Sequence, residues 1–277
     1  MCKQVCGKAY RFVTCLVARV YYHLPGAGFR WSGMRGEMKV TPRICLLTGA
    51  SHGLGLALAQ ELVARGYRVL GTGRRPLLDL PDDYPDCAYL QVDLTQADAA
   101  LRIADWTAQQ VAGPLPLAIL NAGAGRYRPL SQETAAEMAE VLRINFDVNL
   151  QLAQALFTKL QGGSLGLIGS VAHRGAAGMP VYAASKGALD GFGRALAEEW
   201  RDMVRVRVLH PGPVATGMSE RAGRPRDLMD SLFLSPRAVA MTLLDRLLRP
   251  RGADRQVVSF AQVGSNQLWR KLSGTTG

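Results

Sequence analysis

From Arg43 onward the chain alternates short apolar runs with amphipathic stretches, and that alternation restricts the possible folds more than any other feature of its 277 residues. ICLLTGA is an apolar run of strand length that closes on a glycine. LALAQELVARG then spaces its apolar residues along one helix face and stops at Gly66, and YRVLGTG is a second buried strand. CAYLQVD, LAILNAG, SLGLIGS, VRVRVLHPG and QVVSF repeat the strand pattern with helical segments between them. Strands separated by helices pair through crossovers, so the expected fold is α/β, a doubly wound parallel sheet of about seven strands with helices on both faces. No Pro-, Gly- or Ser-rich linker and no internal repeat interrupts the chain after residue 43, so residues 38–277 are expected to form a single domain. Ligands in such sheets bind at the carboxyl ends of the strands, where Gly, Asn and Ser collect here.

Composition excludes several classes. With 48% apolar and 20% charged residues the chain can bury a proper core. The formal net charge is +11, but residues 1–40 hold seven Lys or Arg against one Glu and carry +6 of it, leaving +5 spread thinly over the rest. Beyond residue 40 there is no basic stripe with interleaved aromatics and no finger spacing, so no nucleic-acid partner is expected. The five cysteines, at 2, 6, 15, 45 and 87, are odd in number and crowd the start. They form no disulfide framework, and a reducing compartment, the cytoplasm, is expected. The four histidines have no metal-ligand spacing with one another or with cysteine, so no metal is expected.

Residues 1–37 are basic and stand apart. Their apolar run around Phe12 to Tyr22 is broken by Arg19, is shorter than the roughly 20 residues of a membrane span, and is not followed by small residues in the order of a cleavage site. Two readings stand. One is an upstream extension, disordered or misassigned, with Met38 opening the domain; the other is an amphipathic segment lying on a membrane surface. The first is the working expectation, and with it no membrane partner.

TGASHGLG sets Gly49, Gly53 and Gly55 between the first strand and the first helix. Glycines there permit positive φ and let backbone amides approach a pyrophosphate, which then lies at the positive end of the helix. A glycine loop alone is only a tight turn. With a strand before and a helix after it reads as a Rossmann-type dinucleotide site lined by Gly49, Ser51, His52, Gly53, Leu54 and Gly55. After the second strand an acidic residue would hold a ribose 2′-hydroxyl, whereas GTGRRP offers Arg74 and Arg75. Two guanidiniums suit a 2′-phosphate, so NADP(H) is favoured over NAD(H). His52 either touches that phosphate or faces solvent. Asp93 and Leu94 are expected over the adenine, and Asn121, Ala122 and Gly123 against the cofactor backbone.

In MPVYAASKGALDGF, residues 179–192, Tyr182 and Lys186 stand four apart and share a helix face. A free phenol, with a pKa of about 10, exchanges protons poorly at neutral pH, and an adjacent ammonium favours the phenolate. Ser170 ends a strand twelve residues earlier and can hydrogen-bond the same substrate oxygen. Taken alone, Tyr-x-x-x-Lys is ordinary helix packing with a snorkelling lysine. Chance is a poor account of it once the glycine loop, Asn121-Ala122-Gly123 and Ser170 precede it in order.

On these motifs residues 43 to about 260 resemble the short-chain dehydrogenase/reductase family, in its NADP-preferring branch. The matches are TGASHGLG for TGxxxGxG, LNAG for NNAG, Asn145 in RINFDVNL, Ser170 in IGS, YAASK for YxxxK and HPGPVAT for the PG motif. The resemblance implies Tyr182 as general acid/base, with Lys186 lowering its pKa and holding the nicotinamide ribose. Ser170 would steady the substrate oxygen, and Asn145 would hold a water linking Lys186 to solvent; Asn149 is a second candidate that fits the family's spacing less well. Pro211, Gly212, Val214 and Thr216 would line the nicotinamide. The implied protein is an NADP(H)-dependent oxidoreductase interconverting a small carbonyl compound and its alcohol by hydride transfer, a homodimer or homotetramer with a variable lid near residues 217–236. A 3-oxoacyl-(acyl carrier protein)-type ketoacyl reductase is the alternative within that class, and a non-catalytic NADP(H)-binding sensor or scaffold the alternative outside it. Three positions depart from the family pattern. Leu120 replaces the first Asn of NNAG, His210 replaces the Asn often found before PG, and the Ser170 to Tyr182 interval is one residue short. That shortened loop, around His173, Arg174 and Gly175, is expected to reshape the substrate mouth.

Overall fold

Five of the apolar runs become strands buried on both faces, which is why they read as unbroken rather than alternating, while Ala88–Gln91 stays half-buried at the sheet edge. The computed structural model describes residues 43–217, 222–223, 233–249, 255–258 and 263. In chain order they form β1 (Ile44–Thr48), α1 (Gly53–Ala64), β2 (Arg68–Gly73), β3 (Ala88–Gln91), α2 (Ala99–Gln110), β4 (Leu117–Leu120), α3 (Ala135–Leu142), α4 (Val148–Leu160), β5 (Ser164–Ile168), α5 (Pro180–Glu199), β6 (Arg205–Pro211), α6 (Pro236–Leu247) and β7 (Arg255–Val258). The seven strands lie in the order β3-β2-β1-β4-β5-β6-β7 and every neighbouring pair is parallel. The expected doubly wound sheet is therefore present.

The period of two along each strand divides the core. In β1, Leu46 enters one cluster while Cys45 and Leu47 enter the other; in β4, Ala118 and Leu120 oppose Leu117 and Ile119 in the same way. The first cluster is closed by apolar residues of α2, α4 and α5, the second by those of α1 and α6. Burying one such leucine contributes about 1.5–3 kcal/mol, so this covering holds the strand ends where the site needs them. On the α1–α6 side, Arg65 bonds both Glu61 and Asp245 at 2.8 Å. The fully buried Arg207 of β6 donates to the carbonyls of Arg246, Leu247 and Arg249 at 2.6, 2.9 and 2.8 Å, capping the end of α6.

Local signals explain the helix ends that matter. Pro180 opens α5, where its missing N–H is harmless. Thr134 and Glu137 form a capping box at the start of α3. Between α3 and α4 the chain makes one wider, π-type turn at Arg143–Asp147, and Asn145 sits inside it. Among the described residues no helix is long and apolar enough to cross a membrane. Residues 1–37 lie outside the described residues, as does most of the expected lid, including Arg221, Arg224 and Arg226.

Candidate active site

Strand order reverses at β1, with β2 on one side and β4 on the other, and the carboxyl ends there open the crevice expected of this architecture. Thr48 Oγ1 accepts the backbone N–H of Asn121 at 3.0 Å and of Ala122 at 3.1 Å. Asn121 Nδ2 donates back to Thr48 O at 3.1 Å and Gly49 O at 3.4 Å. Asn121 is thus a strut beneath the glycine loop, with Ala122 packed on Gly49. Gly49 and Gly53 have φ of +69° and +58°, and a Cβ on Gly55 would lie 1.9 Å from Gly49 O. No larger residue fits there.

The loop suits a dinucleotide on its own geometry. α1 starts at Gly53 after the N-cap residue His52, with no side-chain cap and no acid in its first turn, so its amino-terminal N–H groups and positive dipole end suit an anion. Ser51 Oγ and His52 Nδ1 lie 3.3 Å apart, and Leu54 packs on the α1–α6 cluster. Gly73 abuts Ser51, which sets the following Arg74 and Arg75, both exposed, beside the loop. Tyr89 and Gln91 of β3 donate to the Arg75 and Arg74 carbonyls at 3.0 and 3.4 Å. Asp93 Oδ1 accepts Thr95 N and Oγ1 at 3.0 and 2.9 Å, shaping its own turn, and Leu94 packs at the core edge. At the far end, Gly212 N donates to Val258 O and Val214 bridges Leu234. Thr216 folds back until its Cβ lies 2.9 Å from where a Cβ on Gly53 would be. The loop after Pro211 and the glycine loop are therefore in contact.

The β5–α5 end is made of ionisable side chains. Lys186 is 3% exposed, its Nζ donates to Ile168 O at 3.0 Å, and it lies 5.8 Å from the Tyr182 ring centroid. Burial pushes the ammonium down to about 8. Burial also pushes the Tyr182 phenol up, with the Ser170 hydroxyl opposing. This differs from the expectation that Lys186 draws the phenol down: desolvation, the largest cause for each, favours the neutral form of both groups. Asn145 is fully buried; its Oδ1 accepts Ala124 N at 2.8 Å and its Nδ2 donates to Ala124 O at 2.8 Å and Ser185 Oγ at 2.9 Å. Asn149 Nδ2 donates to Asn145 O at 2.7 Å. The two asparagines that compete in the sequence thus share one network.

Two features escaped the sequence reading. Gly125 and Met179 gather beside Tyr182 and the Tyr127 ring lies against Gly178, with Tyr127 N bonded to Ala222 O and Arg128 N to Gly178 O, both at 2.6 Å. These residues edge the mouth, and the glycine positions at 125 and 178 are their only trace in the sequence. Second, His173, Asp190 and His210 converge until their ligand-type atoms lie within 4.8 Å of one another, although their sequence spacing hides it. The signal available was Asp190, four residues after Lys186 as Lys186 is after Tyr182.

The family model for short chain dehydrogenases matches residues 43–227, and the chain belongs to that family, whose members are oxidoreductases that bind a nicotinamide cofactor. It is similar to a 3-ketodihydrosphingosine reductase of Bacteroides thetaiotaomicron, 30% identical over 205 residues that cover 70% of this chain and 74% of that one. It is also similar to a cyclic-di-GMP-binding biofilm dispersal mediator protein of Escherichia coli K12, 28% identical over 199 residues, 70% and 82% of the two chains. A solved short chain dehydrogenase from Burkholderia cenocepacia in complex with NADP has the same fold, with a TM-score of 0.67 at 24% identity over 84% of this chain and 94% of that one.

Proposed function

We propose that this oxidoreductase uses NADP(H) and works as a carbonyl reductase, with Tyr182 donating the proton. One observation carries the reading. Tyr182 and Lys186 occupy one face of α5, Lys186 buried and Tyr182 partly buried beside Ser170 at the end of β5. The phenol is protonated at neutral pH and so has a proton to give, and the Lys186 charge beside it favours the phenolate that forms as the carbonyl oxygen takes that proton.

Gly49–Gly55 together with Pro211, Gly212, Val214 and Thr216 would hold NADP(H), which would supply a hydride to the carbonyl carbon. Ser170 Oγ orients the carbonyl oxygen toward the Tyr182 hydroxyl. Lys186, with one N–H on Ile168 O, has two further donors for ribose hydroxyls and a positive charge that steadies the phenolate left behind. Asn145, rigid inside its π-type turn, offers its carbonyl to a water that returns a proton to Lys186; Asn149 fills one of that oxygen's two acceptor positions. Arg74 and Arg75 recognise the 2′-phosphate, a preference in keeping with the NADP named for the Burkholderia cenocepacia structure. The reading includes a small-molecule carbonyl or alcohol substrate, a cytoplasmic location, and a homodimer or homotetramer that light scattering would detect.

The name of the Escherichia coli relative describes binding rather than catalysis, so a non-catalytic binder is the second reading. Fluorescence titration with NADPH and NADH, followed by NADPH consumption with a panel of ketones and α-dicarbonyls, separates the two. Tighter NADPH binding with turnover supports the reductase; tight binding with no turnover on any carbonyl supports the binder; NADH preference overturns the cofactor assignment.

A further inference from the structure

The face of α5 that carries Tyr182 and Lys186 continues one turn further to Asp190, which is 5% exposed. Asp190 Oδ1 lies 2.8 Å from Nε2 of His210, itself fully buried on β6. The other ring nitrogen, Nδ1, lies 3.1 Å from Ser170 O. Gly169 permits that approach, because a Cβ there would lie 2.5 Å from His210 Nδ1. The imidazole therefore spans from the helix that carries the acid/base tyrosine to the backbone of the serine beside it.

Both neighbours of this ring are acceptors, one a carboxylate and one a carbonyl. A ring nitrogen meets an acceptor favourably only as N–H, so both contacts are hydrogen bonds only when His210 carries two protons. In the neutral ring one contact becomes lone pair against lone pair. The ionisable groups facing His210 are Asp190 from α5, with Arg194 Nε 3.4 Å from its other oxygen, and His173 from the turn after β5. His173 stacks on His210 with ring centroids 4.0 Å apart, and its own Nδ1 lies 2.7 Å from the same Ser170 O. Two imidazoles thus address one carbonyl. Burial and His173 pull His210 below its ordinary value, against Asp190 and the Ser170 carbonyl.

We propose that His210 and Asp190 form a positioning dyad for Ser170. Asp190 orients His210, doubly protonated His210 holds the Ser170 carbonyl, and loss of one proton passes that carbonyl to His173 and shifts the serine hydroxyl relative to Tyr182. The proposal rests on the reading of Ser170 and Tyr182 as reacting groups. Because His210 sits below the usual histidine value of about 6.5, the full grip is present at acid pH and is lost as pH rises through its titration.

The test uses the full chain in two arms. In the first, NMR with 15N-histidine and carbonyl-13C-serine follows the His210 nitrogens and the Ser170 carbonyl from pH 4.5 to 8, with Ser170 assigned by difference against Ser170→Ala. The Ser170 carbonyl should titrate at the His210 midpoint, stop doing so in His210→Asn, and continue in His173→Gln. A Ser170 signal that is flat in the wild type, or unchanged in His210→Asn, overturns the proposal. Asp190→Asn serves should His210→Asn fail to fold, and should lower the shared midpoint. In the second arm, NADPH-dependent reduction of 9,10-phenanthrenequinone at acid pH, where His210 is doubly protonated, should lose about tenfold in kcat in His210→Asn, on the scale of one charge-assisted hydrogen bond, with KM for NADPH unchanged and the difference closing as pH rises through the His210 titration. A His210→Asn rate equal to wild type at every pH, beside an inactive Tyr182→Phe, sinks the dyad alone. An active Tyr182→Phe sinks the reading beneath it, and a wild type inert toward the quinone bears on that reading while the carbonyl titration still decides the dyad.

Discussion

The two ends of the crevice are built from different materials. At the β1–β4 end the loop is shaped by backbone: glycines where a Cβ would collide, Thr48 and Asn121 locking two strand ends, and an uncapped helix terminus. At the β5–β6 end the walls are ionisable side chains, the buried Lys186, Asp190 and His210 and the partly buried Tyr182. The first end senses volume; the second senses protons and depends on low local polarity to set them. Binding and reaction should accordingly fail separately when each end is altered.

The largest separation should come from Tyr182→Phe, which removes the proton donor and almost no volume. Turnover should fall by about 10²–10⁴-fold, the scale of general acid catalysis, while fluorescence titration finds NADPH binding unchanged. Gly55→Ala should do the reverse. With 1.9 Å to Gly49 O, the new Cβ forces a backbone shift costing about 1–3 kcal/mol, visible as a lower thermal midpoint and a weaker NADPH titration. Replacing Arg74 and Arg75 by Ala should weaken NADPH by about tenfold or more, as expected for charge-assisted bonds to a phosphate. NADH should be unaffected, and an equal loss for both cofactors would remove the 2′-phosphate assignment.

pH should act at the second end. Lys186 has its value depressed to about 8, so it keeps its charge below that pH and loses it above. Reductive turnover should decline as pH rises through about 8, and a flat profile to pH 10 would contradict the role given to that charge. The smallest effect belongs to Thr48→Val, which strips one acceptor from two backbone N–H groups. It should cost about 1–3 kcal/mol of stability by denaturant titration and leave the shape of the pH profile intact.

The difference between the ends also explains what the sequence could convey. Glycine is legible, because a residue chosen for the absence of a side chain marks backbone geometry directly; TGASHGLG and the seven apolar runs led to the parallel, doubly wound sheet and to the loop, though not to the strand order. Tyr182 and Lys186 were legible because a helix turns neighbours in sequence into neighbours in space. Their protonation was not, since burial depends on residues from other elements, and it reversed the expected direction for Tyr182. His173, Asp190 and His210 meet from a turn, a helix and a strand, so no spacing rule joins them. The hydrogen bonds of Asp93 to its own turn and of Asn121 to the neighbouring strand end were not legible either, because a polar side chain at a strand end can serve local backbone as well as a ligand.

The most direct measurement sets Tyr182→Phe and Gly55→Ala side by side, each titrated with NADPH by fluorescence and then assayed for NADPH-dependent reduction of an α-dicarbonyl. The predicted result is a crossed pattern in which Tyr182→Phe binds like wild type and does not turn over, while Gly55→Ala binds weakly and recovers rate as NADPH is raised. Turnover by Tyr182→Phe, or binding and rate lost together in both variants, would contradict the division of the site into a backbone cradle and a proton-handling end.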